Sequence, residues 1–185
     1  MSSTIPQSPM VWLDLEFTDL DPNKGTIVEI ATVITDGDLN ILATGPDIVI
    51  HQSEDILRNM VKWNQEHFGE SGLTEEIRLS MVGLSQAEEE TISFLKKYCT
   101  PHTALLAGSS VYMDREFLRV YMPRLYDFVH YRIIDTNTLK ELMHRWYPHI
   151  PDYPKMEPHR AKGDILESID ELKYYQSQIF KQRTP

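Results

Sequence analysis

The chain has 185 residues, of which 41% are hydrophobic, and a formal net charge of −10 at neutral pH. This length and apolar content suffice for one well-filled core, so we expect a single domain over residues 1–185, with flexible ends at 1–8 and 181–185. Proteins that hold long nucleic acid usually carry a basic stripe, because phosphate neutralisation supplies much of the affinity. The basic residues here are scattered, which argues against long duplex nucleic acid as a partner.

Cysteine usage and hydropathy restrict the compartment. Cys99 is the single cysteine, so the chain has neither a disulfide framework nor a cysteine-based zinc cluster. Residues 1–10, MSSTIPQSPM, lack the basic start and apolar centre of a secretory signal. No apolar run approaches the ~18 residues that span a bilayer. We expect an intracellular protein without membrane association, in the cytoplasm or alternatively in the mitochondrion.

Strand and turn signals dominate the first quarter of the chain. Segments 10–17, 27–35 and 41–51 are rich in Val, Ile and Thr and predict strands, and TDGDLN between the last two predicts a hairpin turn. A helix is then expected from Ser85, where Ser85 and Glu88 have the spacing of a capping box.

Strands and helices alternate in the second half. Segment 104–108 predicts a buried strand followed by a helix from Asp114, and segment 131–136 predicts a strand followed by a helix through TLKELMHRW. The last helix, from about 160 to 180, carries an apolar stripe of Ile165, Ile169, Leu172 and Ile179. This order predicts an α/β (α+β) fold in which a mixed five-stranded sheet is covered by helices.

The first predicted strand contains two carboxylates inside the apolar run VWLDLEF. Asp14 and Glu16 are two residues apart and therefore point to the same side of the strand. Burying like charges together costs several kcal/mol unless something neutralises them. One alternative is an exposed acidic edge, although the apolar flanks leave little room for a solvated strand. A divalent cation is the natural neutraliser, since Mg²⁺ prefers carboxylates together with substrate phosphate.

Two later acids and one histidine extend this pattern. Asp114 follows a buried strand at the start of a helix, where the alternative role is a helix N-cap. Asp164 lies five residues after His159 in the last helix, and its alternative role is a surface ion pair with Arg160 at i,i+4. His159 follows Pro158, so we expect it at the entrance of that helix. The combination of strand D-x-E, strand-end Asp and helix H-x₄-D is far more specific than its parts.

These motifs resemble the oligoribonuclease family, the histidine variant of the four-acid 3′-to-5′ exonuclease superfamily. The resemblance runs from about Pro9 to Phe180 and is carried by VWLDLEFTDLDP, WNQEHFGESGLT, DREFLRVYMPRL, HYRIIDTNTLKEL, HRWYP and HRAKGDILESIDELKYY. It implies a ribonuclease H-like fold and a homodimer. It also implies that the protein degrades single-stranded RNA of two to about five nucleotides, dinucleotides above all. The RNA is degraded from the 3′ end to nucleoside 5′-monophosphates. Such short substrates carry too few phosphates to need a long basic surface.

The resemblance assigns roles residue by residue. It implies that two divalent ions, Mg²⁺ or Mn²⁺, are held by four acids and that His159 is the general base. The four implied metal ligands are Asp14, Glu16, Asp114 and Asp164.

The resemblance also implies a substrate-binding set. Leu20 and Trp63 would flank the two bases of a short substrate, although core packing is the alternative for Trp63. Tyr131 would reach toward the site of the partner subunit. The substrate's 5′-phosphate would be held by a phosphate cap formed by Ser110, Arg132, Asn137 and Thr138.

The chain departs from the family pattern at several positions near these motifs. Phe17 and Asp19 replace the usual Met and Gly beside the first strand. Ser109 and Asn137 replace the usual Asn and Ser in the phosphate cap region. Gly163 replaces the first member of an Asp-Asp doublet, while Asp164 keeps the five-residue offset from His159.

Three rival functions come from other classes. One is a DNA exonuclease with the same fold, which a competition assay between RNA and DNA substrates would distinguish from an exoribonuclease. A catalytically silent dinucleotide-binding module would not need four acids and His159. A structural partner protein would not need such an acidic cluster at all.

Overall fold

The computed structural model describes residues 9–156 and 160–181. Its strands are β1 (Met10–Phe17), β2 (Ile27–Thr35), β3 (Ile41–Val49), β4 (Leu105–Gly108) and β5 (Ile133–Asp135). Its helices are α1 (Glu54–Asn59), α2 (Lys62–Glu70), α3 (Leu73–Leu79), α4 (Leu84–Leu95), α5 (Val111–Tyr121), α6 (Pro123–Phe128), α7 (Thr136–Trp146) and α8 (Ala161–Ile179).

The five strands form one mixed sheet in the order β3-β2-β1-β4-β5. The pairs β1–β2 and β2–β3 are antiparallel, and β1–β4 and β4–β5 are parallel. The predicted mixed five-stranded sheet is therefore confirmed. The hairpin between β2 and β3 is also confirmed, and Asp36 closes it by accepting hydrogen bonds from the backbone amides of Asp38 and Asn40 at 2.9 Å.

Alternating residues of β1 face two different helical layers. Val11, Leu13 and Leu15 pack in the larger core with α4, α5 and α6. Met10 and Trp12 pack on the opposite face against α8, whose apolar stripe includes Ala161, Ile165, Ile169 and Leu172. Because side chains alternate along a strand, the face of β1 that carries Asp14 and Glu16 is the one that α8 covers.

The predicted capping box at Ser85 and Glu88 is wrong. Helix α4 begins at Leu84 with Gly83 as its N-cap and without a side-chain cap. The Glu88 carboxylate is buried and instead accepts hydrogen bonds from the backbone amides of Arg124 and Leu125, at 2.7 and 3.1 Å, and from Arg124 Nε at 2.8 Å. Glu88 therefore caps α6, an interaction across 36 residues that local sequence spacing does not reveal.

Other predicted boundaries shift by a few residues. Strand β3 ends at Val49 rather than residue 51, and β5 is reduced to Ile133–Asp135 because Asp135 already caps α7 through the backbone amide of Asn137. Helix α5 begins at Val111 rather than Asp114. The short helices α1, α2, α3 and α6 were not individually predicted, since six to nine residues carry little periodicity.

The two ends of the chain were predicted to be flexible. Residues 1–8 and 182–185 lie outside the described residues, so this prediction stays open there. Within the described part of the chain, no helix is long and apolar enough to cross a membrane.

The contacts of Glu88 lead to a stability prediction. We expect Glu88→Ala to lower the free energy of unfolding by about 1–3 kcal/mol, because the substitution removes the acceptor of two α6 amides and of Arg124. Urea unfolding followed by circular dichroism measures the change. Glu89→Ala is the matched control, since Glu89 also pairs with Arg124 but is exposed; it should change stability by less than about 0.5 kcal/mol. Equal effects of the two substitutions would contradict the capping role.

Candidate active site

Three of the predicted metal ligands converge at one end of the sheet. Asp14, Glu16 and Asp164 are half-buried, and one carboxylate oxygen of each lies within 4.8 Å of the others. Asp14 and Glu16 pair with β2 and are partly covered rather than exposed, while β4 pairs with β1 only over Met10–Trp12. The alternative of an exposed acidic edge is therefore wrong. Here "the acid cluster" denotes Asp14, Glu16 and Asp164.

The convergence follows from the packing of α8. The apolar residues Ala161 and Ile165 place the first turns of α8 on the same face of the sheet as Trp12. Asp164 lies in the first turn of this helix. As β1 continues beyond Trp12, its next two side chains on that face are Asp14 and Glu16. Helix α8, which packs on the same face, therefore places Asp164 beside them.

Asp114 reaches the cluster from the opposite layer. It lies in the first turn of α5, three residues after the helix begins, so the N-cap alternative is wrong. Its side chain is buried, and Oδ1 accepts a hydrogen bond of 2.9 Å from the backbone amide of Leu15. Leu15 lies between Asp14 and Glu16 on β1. Asp114 is thus held against the strand that carries the first two acids.

Burial and mutual repulsion raise the pKa values of these carboxyls. For Glu16, burial is the largest cause, followed by the charges of Asp164 and Glu29, and the pKa rises to about 8. The pKa of Asp14 is raised well above its usual value by burial and then by Asp114. Burial raises the pKa of Asp114 to about 7. The folded protein therefore binds protons at these carboxyl groups more readily than an unfolded chain does.

The donor set fits a divalent metal ion. Asp14, Glu16 and Asp164 offer only carboxylate oxygens, which are the ligands that Mg²⁺ and Mn²⁺ prefer. The raised pKa values of Asp14 and Glu16 and the short separations of the three carboxylates mark a site at which positive charge is favourable. The arrangement at the end of β1 can therefore hold a divalent metal ion.

The predicted general base, His159, lies outside the described residues. The structure resumes at Arg160, which precedes the first residue of α8. The predicted alternative partner of Asp164 was this arginine. Its guanidinium instead lies against Glu29 Oε1 at 2.7 Å and Glu76 Oε2 at 2.8 Å.

Leu20 and Trp63 are carried by two segments that are tied together at the end of β1. Both side chains are largely exposed, at 68% and 51%, which contradicts the core-packing alternative for Trp63. Helix α2 is fixed beside this strand end by the Asn64 side chain, whose Nδ2 donates to the carbonyl of Phe17 at 2.5 Å. The Trp63 ring stacks on His67, with centroids 3.7 Å apart.

The loop that carries Leu20 is closed on itself and braced by α5. The Thr18 backbone amide donates to the carbonyl of Thr26 at 3.0 Å, and the Tyr121 hydroxyl donates toward the carbonyls of Pro22 and Gly25. A side chain at Gly25 would collide with the backbone of Asp19, 2.7 Å from an added Cβ. The departure at Asp19 is accommodated, since its side chain points back to the amide of Asp21.

Two of the predicted phosphate-cap residues are in direct contact. Asn137 Nδ2 donates to Ser110 Oγ at 2.7 Å. Asp135 holds both residues, because its Oδ1 accepts from the backbone amides of Ser110 and Asn137 at 3.0 Å. Ser110 has a positive φ of 56° at the N-cap of α5, and Thr138 follows Asn137 in the first turn of α7.

Arg132 and Tyr131 lie at the surface just before β5. The Arg132 Nε donates to the Tyr131 hydroxyl at 3.0 Å, and its guanidinium lies 5.4 Å from the centre of the Tyr131 ring. Tyr131 is 67% exposed. The structure thus pairs these two residues with each other rather than with Ser110 and Asn137.

Sequence reasoning missed Asp135 and Tyr121 as parts of this site. Asp135 had a usable signal, since an Asp between a strand and a helix is a common N-cap. Tyr121 had none, because its contacts join residues that are 96 and 99 apart in the chain.

The fold and the site together define an exonuclease. Residues 11–172 match the model of the RNase_T family, which is described as exonuclease. A "probable oligoribonuclease" of Dictyostelium discoideum is 49% identical over 172 residues, covering 93% of this chain and 90% of the relative. The mitochondrial oligoribonuclease of Homo sapiens is 48% identical over 176 residues, covering 94% and 74%. The chain belongs to the oligoribonuclease family.

Solved structures agree on the fold. Escherichia coli exonuclease I in complex with a dT13 oligonucleotide superposes with a TM-score of 0.72 at 15% identity, covering 93% of this chain and 42% of that one. Exonuclease I from Methylocaldum szegediense gives 0.69 at 17% identity, covering 94% and 41%. This chain therefore spans about two fifths of those structures. The predicted ribonuclease H-like fold is confirmed.

The raised pKa values predict how metal-free stability depends on pH. Between the ordinary values near 4 and the raised values of about 7 to 8, the folded state binds more protons than the unfolded state. The free energy of unfolding in EDTA should therefore fall as pH rises through this range. Thermal unfolding between pH 5 and about 8.5 measures it.

The matched variants are Asp14→Asn and Asp127→Asn. The first should flatten the pH dependence and raise metal-free stability near pH 8, since it removes one of the repelling charges. The second removes an exposed acid of α6 and should keep the dependence of the unaltered protein. Identical profiles for all three proteins would contradict the repulsion.

Proposed function

We propose that this protein is a 3′-to-5′ exoribonuclease that degrades very short single-stranded RNA, dinucleotides above all, to nucleoside 5′-monophosphates. The observation that carries the proposal is the convergence of Asp14, Glu16 and Asp164 beside Asp114 at the end of β1. Membership of the oligoribonuclease family supports the substrate class. The four-acid arrangement supports hydrolysis of a phosphodiester rather than silent binding.

The proposed cofactor is a pair of Mg²⁺ or Mn²⁺ ions. Asp14, Glu16 and Asp164 would hold them, with Asp114 as the fourth ligand. When bound, two such ions neutralise the scissile phosphate and stabilise the attacking and leaving oxygens. Asp114 would have to exchange the amide of Leu15 for an ion, or use its second oxygen while Oδ1 stays on that amide.

The remaining chemistry belongs to the chain's own residues. His159 would act as general base and accept a proton from the attacking water, and an ordinary imidazole, with a pKa near 6.5, suits that task at neutral pH. In the sequence it stands directly before Arg160 and five residues before Asp164. The in-line attack would release a 5′-monophosphate and leave a 3′-hydroxyl on the shortened strand.

Substrate length would be set by two groups of residues at either side of the acids. Leu20 and Trp63 would flank the bases, and stacking on an aromatic face tolerates any base. The phosphate cap would hold the 5′-phosphate of a short substrate, with Arg132 turning from the Tyr131 hydroxyl toward the phosphate. Ser110, Asn137 and Thr138 would donate from the starts of α5 and α7, where anions are favoured.

The assembly and compartment are part of the same proposal. We infer a homodimer in which Tyr131, 67% exposed, reaches the partner subunit's site. The catalytic unit would be one domain over residues 1–185. The proposed compartment is intracellular, cytoplasmic or mitochondrial; the buried free thiol of Cys99 fits a reducing environment, and several relatives are named mitochondrial.

The decisive experiment is hydrolysis of a 5′-phosphorylated RNA dinucleotide and heptanucleotide with Mg²⁺ or Mn²⁺. We expect nucleoside 5′-monophosphates from both and no product in EDTA. Asp114→Asn should lower kcat at least about 100-fold in a folded protein, since even the outer partners of metal ligands are worth 10–100-fold. Asp127→Asn is the control and should keep full activity.

Two results would contradict the proposal. One is full turnover by folded Asp114→Asn at saturating metal. The other is a preference for the matching DNA over the RNA in direct competition, which would favour a DNA exonuclease of the same fold.

A second prediction concerns the 5′-phosphate. Affinity should be highest for 5′-phosphorylated RNA of two to about five nucleotides. The phosphate cap gains binding energy from one terminal phosphate, whereas a basic surface would gain binding energy from every added phosphate. Arg132→Ala should weaken binding of a phosphorylated dinucleotide by about 1.5–3 kcal/mol. It should have little effect on the dephosphorylated dinucleotide, so the two changes form a thermodynamic cycle.

Binding is measured with a catalytically inactive Asp114→Asn background in Ca²⁺. Arg119→Ala, which removes an exposed arginine paired with Glu116 on α5, is the charge-matched control and should not distinguish the two dinucleotides. Affinity that rises steadily from two to ten nucleotides and ignores the 5′-phosphate would overturn the cap.

A further inference from the structure

A further acid, Glu29, lies on the same face of the sheet as the acid cluster and is not a member of it. Glu29 on β2 is completely buried and stands directly opposite Glu16 in the β1–β2 register. An isolated buried carboxylate is strongly unfavourable and needs a charged or hydrogen-bonding partner. Repulsion from Glu29 also raises the pKa values of both Asp14 and Glu16, after burial and nearer acids.

The partner of Glu29 is the start of α8. Arg160 donates from Nε and Nη2 to Oε1 of Glu29, at 3.0 and 2.7 Å. The other oxygen, Oε2, accepts the backbone amide of Ala161, the first residue of α8, at 3.0 Å. Both oxygens of one buried carboxylate are therefore used to hold two consecutive residues at the helix entrance.

Arg160 also reaches a third element. Its Nη1 and Nη2 donate to Glu76 on α3, at 3.1 and 2.8 Å. The Arg160 side chain is 31% exposed and that of Glu76 is 48% exposed, so this second contact lies toward solvent. The planar fork of an arginine can make both contacts at once, which a lysine cannot do.

The first turn of α8 connects this contact to the metal ligands. The backbone amide of Asp164 donates to the carbonyl of Arg160 at 3.0 Å. Fixing Arg160 and Ala161 on Glu29 therefore fixes the height and rotation of the turn that carries Asp164. On the other side of the contact, β2 pairs Glu29 with Glu16 and Ala31 with Asp14.

We propose that Glu29 and Arg160 form a positioning pair, which holds Asp164 in register with Asp14 and Glu16 so that the three carboxylates can share a metal ion. The inference rests on the proposed metal-dependent hydrolysis. Neither residue touches the substrate; both act through the placement of α8 on β2.

A purely stabilising role explains the geometry less well. Helix α8 is already docked by Ala161, Ile165, Ile169 and Leu172 against the sheet, and buried ion pairs are often replaceable by apolar residues without loss of stability. Apolar side chains can hold a helix on a sheet while allowing small slides and rotations. The Glu29 carboxylate accepts hydrogen bonds from both the Arg160 guanidinium and the first amide of α8. These hydrogen bonds allow only one position of the helix on the sheet.

The experiment compares Glu29→Gln and Arg160→Lys with a buried ion pair elsewhere. Glu88→Gln is the matched control, because Glu88 is also a buried glutamate paired with an arginine, Arg124, in the layer of α4 and α6. Mn²⁺ binding is measured by electron paramagnetic resonance of the free ion. Unfolding in EDTA is recorded for every variant, and kcat and KM are measured with a 5′-phosphorylated RNA dinucleotide.

We expect both site variants to bind Mn²⁺ at least about tenfold more weakly and to lose at least about tenfold in kcat, with KM within about threefold of the unaltered protein. Excess Mn²⁺ should restore part of the kcat. Arg160→Lys keeps the positive charge. A loss of Mn²⁺ affinity and kcat in this variant therefore shows that the position of α8, rather than the charge, matters. Glu88→Gln should lose stability but keep Mn²⁺ affinity and kcat within about threefold.

Two outcomes overturn the inference. One is a folded Glu29→Gln protein with unchanged Mn²⁺ affinity and kcat. The other is a loss of Mn²⁺ affinity in Glu88→Gln that equals the loss in the site variants, which would mean that general destabilisation accounts for all of them. Failure of the proposed function is distinct, because the unaltered protein would then neither bind Mn²⁺ nor hydrolyse the dinucleotide.

Discussion

The repulsion between carboxylates at the end of β1 is the constraint on which the rest of the structure depends. Asp14 and Glu16 share a face of a central strand, and Asp164 is brought within 4.8 Å of them by α8. Burial and mutual charge raise the pKa of Glu16 to about 8. Such an arrangement is unfavourable while the carboxyl groups are charged, and a bound divalent ion would relieve the repulsion.

Holding like charges together requires strong attachments elsewhere, and the structure provides them on both faces of the sheet. On one face, Asp114 is fixed by the amide of Leu15. On the other, apolar residues dock α8, and the buried Glu29 accepts from Arg160 and from the first amide of the helix. The core therefore does more than stabilise the domain, since its packing determines the distances within the acid cluster.

The surfaces around the acids have a different physical character. Leu20 and Trp63 are exposed apolar side chains on segments tied by hydrogen bonds to the end of β1, and Asp135 joins Ser110 to Asn137 at the starts of two helices. The proposed roles of these residues are the binding of two bases and of one terminal phosphate. With an overall charge of −10, the protein gains no affinity from the additional phosphates of a longer strand. The proposed metal binding and the proposed preference for short RNA both fit this acidic charge distribution.

The sequence by itself determined the strand order in the chain, the mixed sheet and the shared face of Asp14 and Glu16, because strand alternation and apolar runs are local properties. The sequence also singled out Asp114, Asp164 and His159, and the family resemblance assigned them the predicted roles of metal ligands and general base. Only the tertiary structure decided the partners of residues whose local sequence allows more than one partner. Glu88 has the spacing of a capping box within α4 but caps α6 instead. Arg160 pairs with Glu29 and Glu76 rather than with Asp164. Those partners are 37, 131 and 84 residues away. Long-range contacts of this kind depend on how the layers pack, and packing is set by the whole core rather than by any segment that can be read along the chain.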